Sequence, residues 1–351
     1  MRAAFLNRDA AYDGLFITVV KTTGIFCRPV CTARKPKPEN VEFFPTSKAA
    51  LGAGYRPCLR CKPAEPAGAQ PAWVEKLLAR LDAAPQQRIA AADLRAAGIE
   101  PARARRHFQR VYGMTFQAFA RSRRLGEAYR NLRGGASLDD AAAETGYESL
   151  SGFRDAFARL FALPPGQGRA AVCINIAWLD SPLGPLLAGA TDEGICLLEF
   201  ADRRMIEAQC KTLRQRLGAA AVVPGENAPL AQLRGELADY FAGKRNHFTV
   251  PLIAPGTEFQ ERVWAALQTI PHGQTWSYQA LANAIGDPKA VRAVARANGM
   301  NRLAILIPCH RVINSGGALG GYGGGLWRKQ RLLALERGER LLDWEAAATR
   351  G

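Results

Sequence analysis

The sequence predicts a multidomain protein that combines α/β and all-α parts. Its 351 residues exceed the usual size of one domain, and two segments rich in Pro, Gly and Ala, 62–71 and 163–168, interrupt the chain. Apolar residues recur at helical spacing over 73–162, whereas alternating and continuous apolar runs follow residue 172. We therefore expect four parts, at residues 1–66, 73–168, 172–251 and 252–342.

The charge is unevenly distributed. The chain has 47 Lys and Arg against 31 Asp and Glu, a net charge of +16. Residues 1–66, 67–168 and 252–340 carry +6, +5 and +6, whereas 169–251 is neutral. Three basic segments indicate a polyanionic partner, with an ordinary solvated basic surface as the alternative.

Composition excludes several classes of protein. A hydrophobic content of 48% excludes wholesale disorder, and eight cysteines are too few for a scaffold built from disulfides. The longest apolar runs, such as 303–307, are too short to span a bilayer, and the N-terminus lacks the apolar stretch of a secretory signal. We expect a cytoplasmic protein with reduced thiols and no membrane partner.

Four cysteines in the first segment form two close pairs with the pattern C-x3-C-x26-C-x2-C, at Cys27, Cys31, Cys58 and Cys61. Two such pairs separated by a loop are typical of a tetrahedral Zn²⁺ site. Because a segment of this size has a marginal core, one metal ion would contribute to its folding. Spacing alone favours a purely structural zinc.

The residues around these cysteines, TTGIFCRPVCTAR (22–34) and YRPCLRC (55–61), resemble the N-terminal domain of the Ada family of DNA-repair and regulatory proteins. The resemblance implies that Cys27 is both a zinc ligand and the acceptor of a methyl group from a methylphosphotriester in DNA. It also implies that three residues contact the DNA backbone: Thr23, Arg34 and Arg56. The alternative interpretation is that these are ordinary exposed polar residues.

Methylation of such a site changes its charge. Zinc keeps the sulfur as a thiolate, the nucleophilic form, and four thiolates with Zn²⁺ sum to −2. One methylated sulfur leaves −1, so repulsion of DNA phosphate falls and DNA binding tightens.

The middle segment predicts two helix-turn-helix units. RIAAADLRAAGIEPARARRHFQRVYGMT indicates a helix, a turn near Gly98 and a second helix from about Pro101. SLDDAAAETGYESLSGFRDAFARLF repeats the arrangement, with a turn at Gly146 and a second helix from about Ser151. A helix-turn-helix inserts its second helix into the major groove, although any small helical bundle has the same periodicity.

GYESLSGFRDAF and the paired units resemble the AraC-type DNA-binding domain, which implies promoter DNA and RNA polymerase as partners. The first unit departs from that family, because Ala104 and His107 replace larger apolar residues, and Ala162 replaces a common glycine. The candidate DNA contacts are Arg103, Arg106, Ser149 and Arg154.

The last two segments predict a small sheet over 172–251 and then mostly helices. Thr257 and Gln260 form a T-x-x-Q capping box, and Ser277 caps the next helix. A turn at Gly286-Asp287-Pro288 precedes a third helix, which makes a further, winged-helix-like helix-turn-helix candidate.

IPCHRV (307–312) places a cysteine beside a histidine, which alone is weak evidence for chemistry, since a buried cysteine beside a satisfied histidine is equally common. However, NGMNRLAILIPCHRV with GGYGGGLWRKQRLLALE resembles the O6-alkylguanine-DNA alkyltransferase family over roughly 175–340. The resemblance implies that Cys309 attacks the methyl carbon on guanine O6, that His310 takes the thiol proton through water, and that Glu336 orients His310.

The same resemblance assigns four further residues. Asn298 would hydrogen-bond near the site and brace the turn, and Tyr278 would give a proton to the departing purine. Because the base must leave the stack, Arg292 would fill the gap and Tyr322 would close over the base.

The leading hypothesis is therefore a single-turnover methylated-DNA–protein-cysteine S-methyltransferase that is also a methylation-switched transcription activator. It would act as a monomer on double-stranded DNA with alkyl damage. One alternative is a zinc-stabilised AraC-type regulator with a non-repairing alkyltransferase-like module, and another is a thiol hydrolase that uses Cys309 and His310. The intact Cys309, His310, Asn298 and Glu336 argue against the first, and the basic helix-turn-helix surroundings against the second.

Overall fold

The fold was analysed in a computed structural model, which describes residues 1–9, 12–65, 71–84, 86–170, 172–203, 206–219 and 221–339. Its elements confirm a mixture of α/β and all-α parts along the chain. No helix in these ranges is both long and apolar enough to cross a membrane.

The first part is a small sheet beside two short helices. Its strands are β1 (Ile17–Val20), β2 (Ile25–Cys27), β3 (Val41–Phe44) and β4 (Arg56–Pro57), in the order β3-β1-β2-β4. The helices are α1 (Arg2–Asn7) and α2 (Ser47–Gly52). Since β2 and β4 pair in parallel and the Cys58 N–H donates to the Phe26 carbonyl at 2.9 Å, the two cysteine pairs begin at the same end of the sheet.

The middle part is helical. It comprises α3 (Ala72–Ala83), α4 (Ala91–Ala96), α5 (Pro101–Tyr112), α6 (Phe116–Arg133), α7 (Leu138–Glu144) and α8 (Leu150–Phe161). The predicted turns occur at Gly98 and Gly146, both with φ of 71°, a left-handed conformation that favours glycine. Both helix-turn-helix predictions are therefore confirmed, as α4–α5 and α7–α8.

The two unusual residues of α5 pack inside this part. Ala104 is fully buried, and the His107 ring meets the edge of Trp73 with centroids 5.3 Å apart. Trp73, on α3, thus packs against His107 of α5. Ala162 ends α8 in the left-handed conformation, with φ of 57°, where glycine carries no steric penalty.

The third part is the expected sheet. Its strands are β5 (Cys173–Leu179), β6 (Leu186–Ala190), β7 (Ile195–Phe200) and β8 (Ala221–Pro224), in the order β7-β6-β5-β8. Helices α9 (Ile206–Arg216) and α10 (Ala228–Phe241) accompany it. Cys173 and Cys196 are buried in the core, whereas Cys210 is half-buried.

The middle part packs on this sheet. A Cβ added to Gly126 of α6 would lie 3.1 Å from Val223 of β8, and the rings of Tyr112 and Trp178 meet at 6.1 Å. The neutral third segment is therefore covered in part by the helices that precede it.

The fourth part contains α11 (Glu258–Gln268), α12 (Tyr278–Ala284), α13 (Val291–Gly299) and α14 (Leu326–Glu336). Two short parallel strands, β9 (Trp276–Ser277) and β10 (Val312–Ile313), join its two halves. The capping box is confirmed, because Thr257 and Gln260 exchange hydrogen bonds of 3.0 and 3.3 Å. Residues Cys309–Arg311 form a single 3-10 turn between α13 and β10.

Candidate functional site

The four cysteines of the first part converge into one cluster. One sulfur each from Cys27, Cys31, Cys58 and Cys61 lies within 4.8 Å of the others. Tetrahedral zinc with Zn–S bonds of about 2.3 Å separates its sulfurs by about 3.8 Å, so the cluster fits one zinc ion. The Arg28 N–H donates to Cys61 Sγ at 3.4 Å, which orients this sulfur from outside the cluster.

A cavity of about 520 Å³ opens beside Cys27. Thr23 and Arg34, two of the expected backbone contacts, line it together with the cysteine, and Lys35 and Lys37 add positive charge. Arg56, the third expected contact, is exposed on β4. The half-buried Cys27 thus lines a cavity whose charged side chains are basic.

A second cavity, of about 420 Å³, surrounds Cys309. It is lined by Tyr278 of α12, Asn298 of α13 and Tyr322 of the glycine-rich segment between β10 and α14. A Cβ on Gly324 would lie 2.6 Å from the Phe200 ring. The backbone at residue 324 can therefore come this close to the ring only because the residue is glycine. Most residues that line the cavity around Cys309 come from α12, α13 and the glycine-rich segment. The cavity therefore lies close to the helix-turn-helix that α12 and α13 form.

Cys309 is 7% exposed and begins the 3-10 turn. Burial raises the pKa of its thiol, and a hydrogen bond from Asn301 acts in the opposite direction by stabilising the thiolate. The Asn301 Nδ2 atom lies 3.2 Å from Cys309 Sγ.

The asparagine that braces the turn is Asn301 and not Asn298, which corrects the expectation from sequence. Asn301 Nδ2 donates to the Ile307 carbonyl at 2.8 Å, and its Oδ1 accepts from the Leu303 N–H at 2.9 Å. Asn298 instead lies with Tyr278 in the cavity wall, where it lowers the pKa of that phenol against the effect of burial, which raises it. The two asparagines therefore serve the sulfur and the phenol separately.

His310, the residue after Cys309, forms a buried pair with Glu336. His310 Nε2 is 2.8 Å from Glu336 Oε1. Arg311 Nε and Nη2 donate to the same carboxylate at 2.7 and 2.9 Å, and the Tyr240 hydroxyl donates at 2.9 Å. Although burial alone would raise the pKa of Glu336, His310 and Arg311 hold it well below its usual range.

The contact between His310 and Glu336 determines which ring nitrogen of the histidine can accept a proton. Burial is the main cause of the lowered pKa of His310, so the ring is neutral at pH 7. If Nε2–H donates to Glu336, Nδ1 carries the lone pair, and Nδ1 has no hydrogen-bond partner among the residues that the structure describes. His310 is therefore arranged as a proton acceptor.

Lys329 is a site residue that the sequence analysis missed. Its fully buried ammonium donates to the Val312 carbonyl at 2.5 Å and to the Gly321 carbonyl at 3.4 Å, and burial lowers its pKa to about 8. It thereby joins β10 to the glycine-rich segment. The segment GGYGGGLWRKQRLLALE contains this lysine, but its letters do not reveal which carbonyls the ammonium contacts.

The remaining candidates lie on the surface. Arg292 is exposed on α13, Arg106 on α5 and Arg154 on α8, whereas Arg103 lies over the Trp73 ring at 5.1 Å. Ser149 is the N-cap of α8, where its Oγ accepts from the Gly152 N–H at 3.1 Å, so this hydroxyl already has an intramolecular partner.

Four family models match consecutive segments of the chain. They are the metal binding domain of Ada (residues 1–64), a helix-turn-helix domain (94–171), and the ribonuclease-like (174–254) and DNA binding (258–338) domains of 6-O-methylguanine DNA methyltransferase.

Relatives match the chain as a whole. The bifunctional transcriptional activator/DNA repair enzyme Ada of Escherichia coli is 38% identical over 94% of both chains, and the regulatory protein ada of Salmonella typhimurium 36% identical over 94% of both. A crystal structure of Mycobacterium tuberculosis OGT in complex with DNA is 39% identical over 49% of this chain and 98% of that one, with a TM-score of 0.42. By its sequence and its order of domains, this chain belongs to the Ada family.

Proposed function

We propose that this protein repairs alkylated DNA by irreversible methyl transfer to its own cysteines. Cys309 takes the methyl group of O6-methylguanine, and Cys27 takes that of a methylphosphotriester. The observation that carries the proposal is that Cys309 lines a base-sized cavity while the next residue, His310, forms a buried pair with Glu336.

The transfer to Cys309 is a single displacement. The thiol proton passes through water to His310 Nδ1, and the thiolate attacks the methyl carbon in line with the C–O bond. The S–C bond forms as the C–O bond breaks, and the electron pair goes to the guanine, which takes a proton from the Tyr278 hydroxyl. Tyr278 regains its proton through water from His310, which thereby returns to its neutral form. Because the product is a thioether, which does not release its methyl group, each cysteine acts once.

The base reaches the cavity by leaving the DNA stack. Arg292 is exposed near the start of α13, the second helix of the α12–α13 unit, and can enter the gap that the base leaves. Tyr322 lies on the glycine-rich segment at the cavity wall, with its hydroxyl buried, so its ring can close over the base.

Cys27 acts at the DNA backbone. When bound, zinc keeps the cysteine sulfur deprotonated at neutral pH. Arg34, Lys35 and Lys37 beside the sulfur attract the phosphate, and Thr23 lines the same cavity. Methylation of Cys27 removes one negative charge from this surface, so the first part binds DNA more tightly afterwards.

The helix-turn-helix units convert this change into transcription activation. Arg103 and Arg106 on α5, Arg154 on α8 and the capping Ser149 lie toward the starts of the two second helices, where promoter DNA would be contacted. We infer that the protein works in the cytoplasm as a monomer, with RNA polymerase as its partner, and that its functional domains are residues 1–66, 73–168, 172–251 and 252–342.

The test supplies the two lesions separately. Duplex DNA with radiolabelled O6-methylguanine should label the peptide that contains Cys309, and DNA with a labelled methylphosphotriester the peptide that contains Cys27. Cys309→Ser should abolish only the first and Cys27→Ser only the second. Label on neither cysteine contradicts the proposal and favours a regulator with a non-repairing module.

The switch needs its own measurement. DNA binding at fixed salt should tighten after the protein has reacted with methylphosphotriester DNA, and the Cys27→Ser variant should show no such change. Equal affinity of the wild-type protein before and after this reaction would contradict the switch while leaving repair by Cys309 intact.

A further inference from the structure

The neutral sheet of the third part contributes directly to the cavity around Cys309. The Leu198 N–H donates to the Arg302 carbonyl and the Ala304 N–H to the Leu198 carbonyl, both at 2.8 Å, so β7 lies beside the chain just before the PCHRV motif. The next residue of β7, Glu199, and Arg203 after it both line the cavity. One charged residue of β7 and one from the turn that follows it thus line the same cavity as Cys309.

Arg203 joins three groups at once. Its guanidinium forms an ion pair with the Glu199 carboxylate, and it donates to the Gly299 carbonyl at 2.9 Å and to the Asn301 carbonyl at 3.2 Å. Glu199 is 1% exposed and Arg203 13% exposed at their side chains. Because the pair is shielded from water, its geometry is held much more firmly than that of a surface ion pair.

The carbonyl that Arg203 holds belongs to the residue whose side chain meets the nucleophile. Asn301 accepts from Arg203 through its backbone and donates to Cys309 Sγ through its amide. On its other side the Arg203 guanidinium lies against the glycine-rich segment, since a Cβ on Gly323 would be 2.8 Å from Arg203 Cζ. One side chain therefore contacts both the turn that orients the sulfur and the segment that closes the cavity.

We propose, on the basis of the methyl transfer proposed above, that Arg203 is a positioning residue for Cys309. It holds the 299–301 turn so that the Asn301 amide faces the sulfur, and Glu199 holds Arg203 in place. The sheet, which carries no net charge, thereby takes part in the reaction through one internal ion pair.

The charges of the pair also act on the sulfur with opposite signs. The positive charge of Arg203 favours the Cys309 thiolate. Burial raises the pKa of Glu199 to about 7, so above that pH its negative charge disfavours the thiolate. The other titratable groups around the sulfur come from α12, the 3-10 turn, the glycine-rich segment and α14: Tyr278, His310, Tyr322 and Lys329. Of these four groups, Tyr322 also responds to both charges of the pair, because Glu199 raises the pKa of its phenol and Arg203 lowers it.

The test compares Arg203→Met with Glu199→Gln. In the full-length protein, the rate at which iodoacetamide alkylates Cys309 is followed against pH by peptide mass, and methyl transfer from O6-methylguanine DNA is followed in parallel. Arg203→Met should move the midpoint of both profiles to higher pH, because it removes a cation, and Glu199→Gln should move it to lower pH. A purely structural role would not shift the two midpoints in opposite directions.

Arg203→Lys separates charge from position. It keeps the positive charge, so the midpoint should stay near that of wild type, but one ammonium cannot span Glu199 and both carbonyls. We expect the plateau rate of methyl transfer to fall on the order of ten-fold. If Arg203→Met does not fold, Arg203→Lys and Glu199→Gln still test whether Arg203 positions Cys309.

The matched control is Arg234→Met, which breaks an exposed ion pair between Arg234 and Glu226 in the third part of the chain. It should leave both profiles unchanged. Midpoints that shift together, or not at all, in Arg203→Met and Glu199→Gln would overturn the inference. Because iodoacetamide requires no DNA, this result is separate from any failure of methyl transfer in the wild-type protein.

Discussion

Glu336 Oε1 lies 2.8 Å from His310 Nε2, and both side chains are completely shielded from solvent. The carboxylate also accepts from Arg311, Tyr240 and the Gly273 N–H. With so many donors it stays ionised, and it commits Nε2 of the histidine to itself. This leaves Nδ1 without a hydrogen-bond partner among the described residues, and it is the nitrogen that takes the Cys309 proton in the proposed transfer.

Glu336→Gln should damage both reaction and fold. The amide removes the negative charge that balances the buried Arg311, which we expect to cost about 3–5 kcal/mol of unfolding free energy. It also loosens the histidine, so methyl transfer should slow on the order of 100-fold. Single-turnover transfer and denaturant unfolding measure the two effects. Glu339→Gln, at an exposed ion pair, should change neither, and wild-type transfer by Glu336→Gln would refute the role of the pair.

The two asparagines should differ in their effects. Asn301→Ala removes the hydrogen bonds to Cys309, Ile307 and Leu303, so we expect methyl transfer to fall on the order of 100-fold. Asn298→Ala should slow the protonation of the departing guanine by Tyr278. It should leave unchanged the midpoint pH of the reaction between iodoacetamide and Cys309. A larger shift of that pH in Asn298→Ala than in Asn301→Ala would contradict the assignment.

The sequence could not distinguish these asparagines. They are three residues apart, on either side of the point where α13 ends at Gly299, and the direction of the chain after this point decides which amide meets the sulfur. Arg203 was not predicted for a related reason, since its partners at Gly299 and Asn301 are almost 100 residues away. By contrast, the capping box and the two turn glycines are local signals, and the structure confirms them.

His107 should make the stability of α5 depend on pH. Burial lowers its pKa from 6.5 to about 4, so the folded state favours the neutral ring. The stabilisation is complete above pH 6.5 and is lost as pH falls toward 4, because the unfolded chain binds the proton more readily. We expect a loss of about 2 kcal/mol, measured by hydrogen exchange in peptides from 101–112.

His107→Leu should remove this pH dependence, whereas His247→Gln, at an exposed side chain, should not. If the stability of α5 depends on pH equally in wild type and in His107→Leu, titratable groups other than His107 cause that dependence. The sequence identified His107 as a departure from the AraC-type pattern, but only the packing against Trp73 shows how the helix accommodates it.

Ala162→Gly should stabilise α8. The alanine ends the helix in the left-handed region, which costs a residue with a Cβ about 1 kcal/mol relative to glycine. Hydrogen exchange in α8 should slow accordingly. Ala158→Gly, an exposed position inside the same helix, should destabilise it by about 1 kcal/mol, and a stabilising effect at both positions would contradict the explanation.

The central claim is that Cys27 and Cys309 each accept one methyl group and keep it. The direct measurement is the number of labelled methyl groups bound per chain after incubation with excess DNA that carries both lesions. The account predicts two for wild type, one for Cys27→Ser, one for Cys309→Ser and none for the double variant. Continued release of repaired DNA beyond two methyl groups per chain, or label in the double variant, would contradict it.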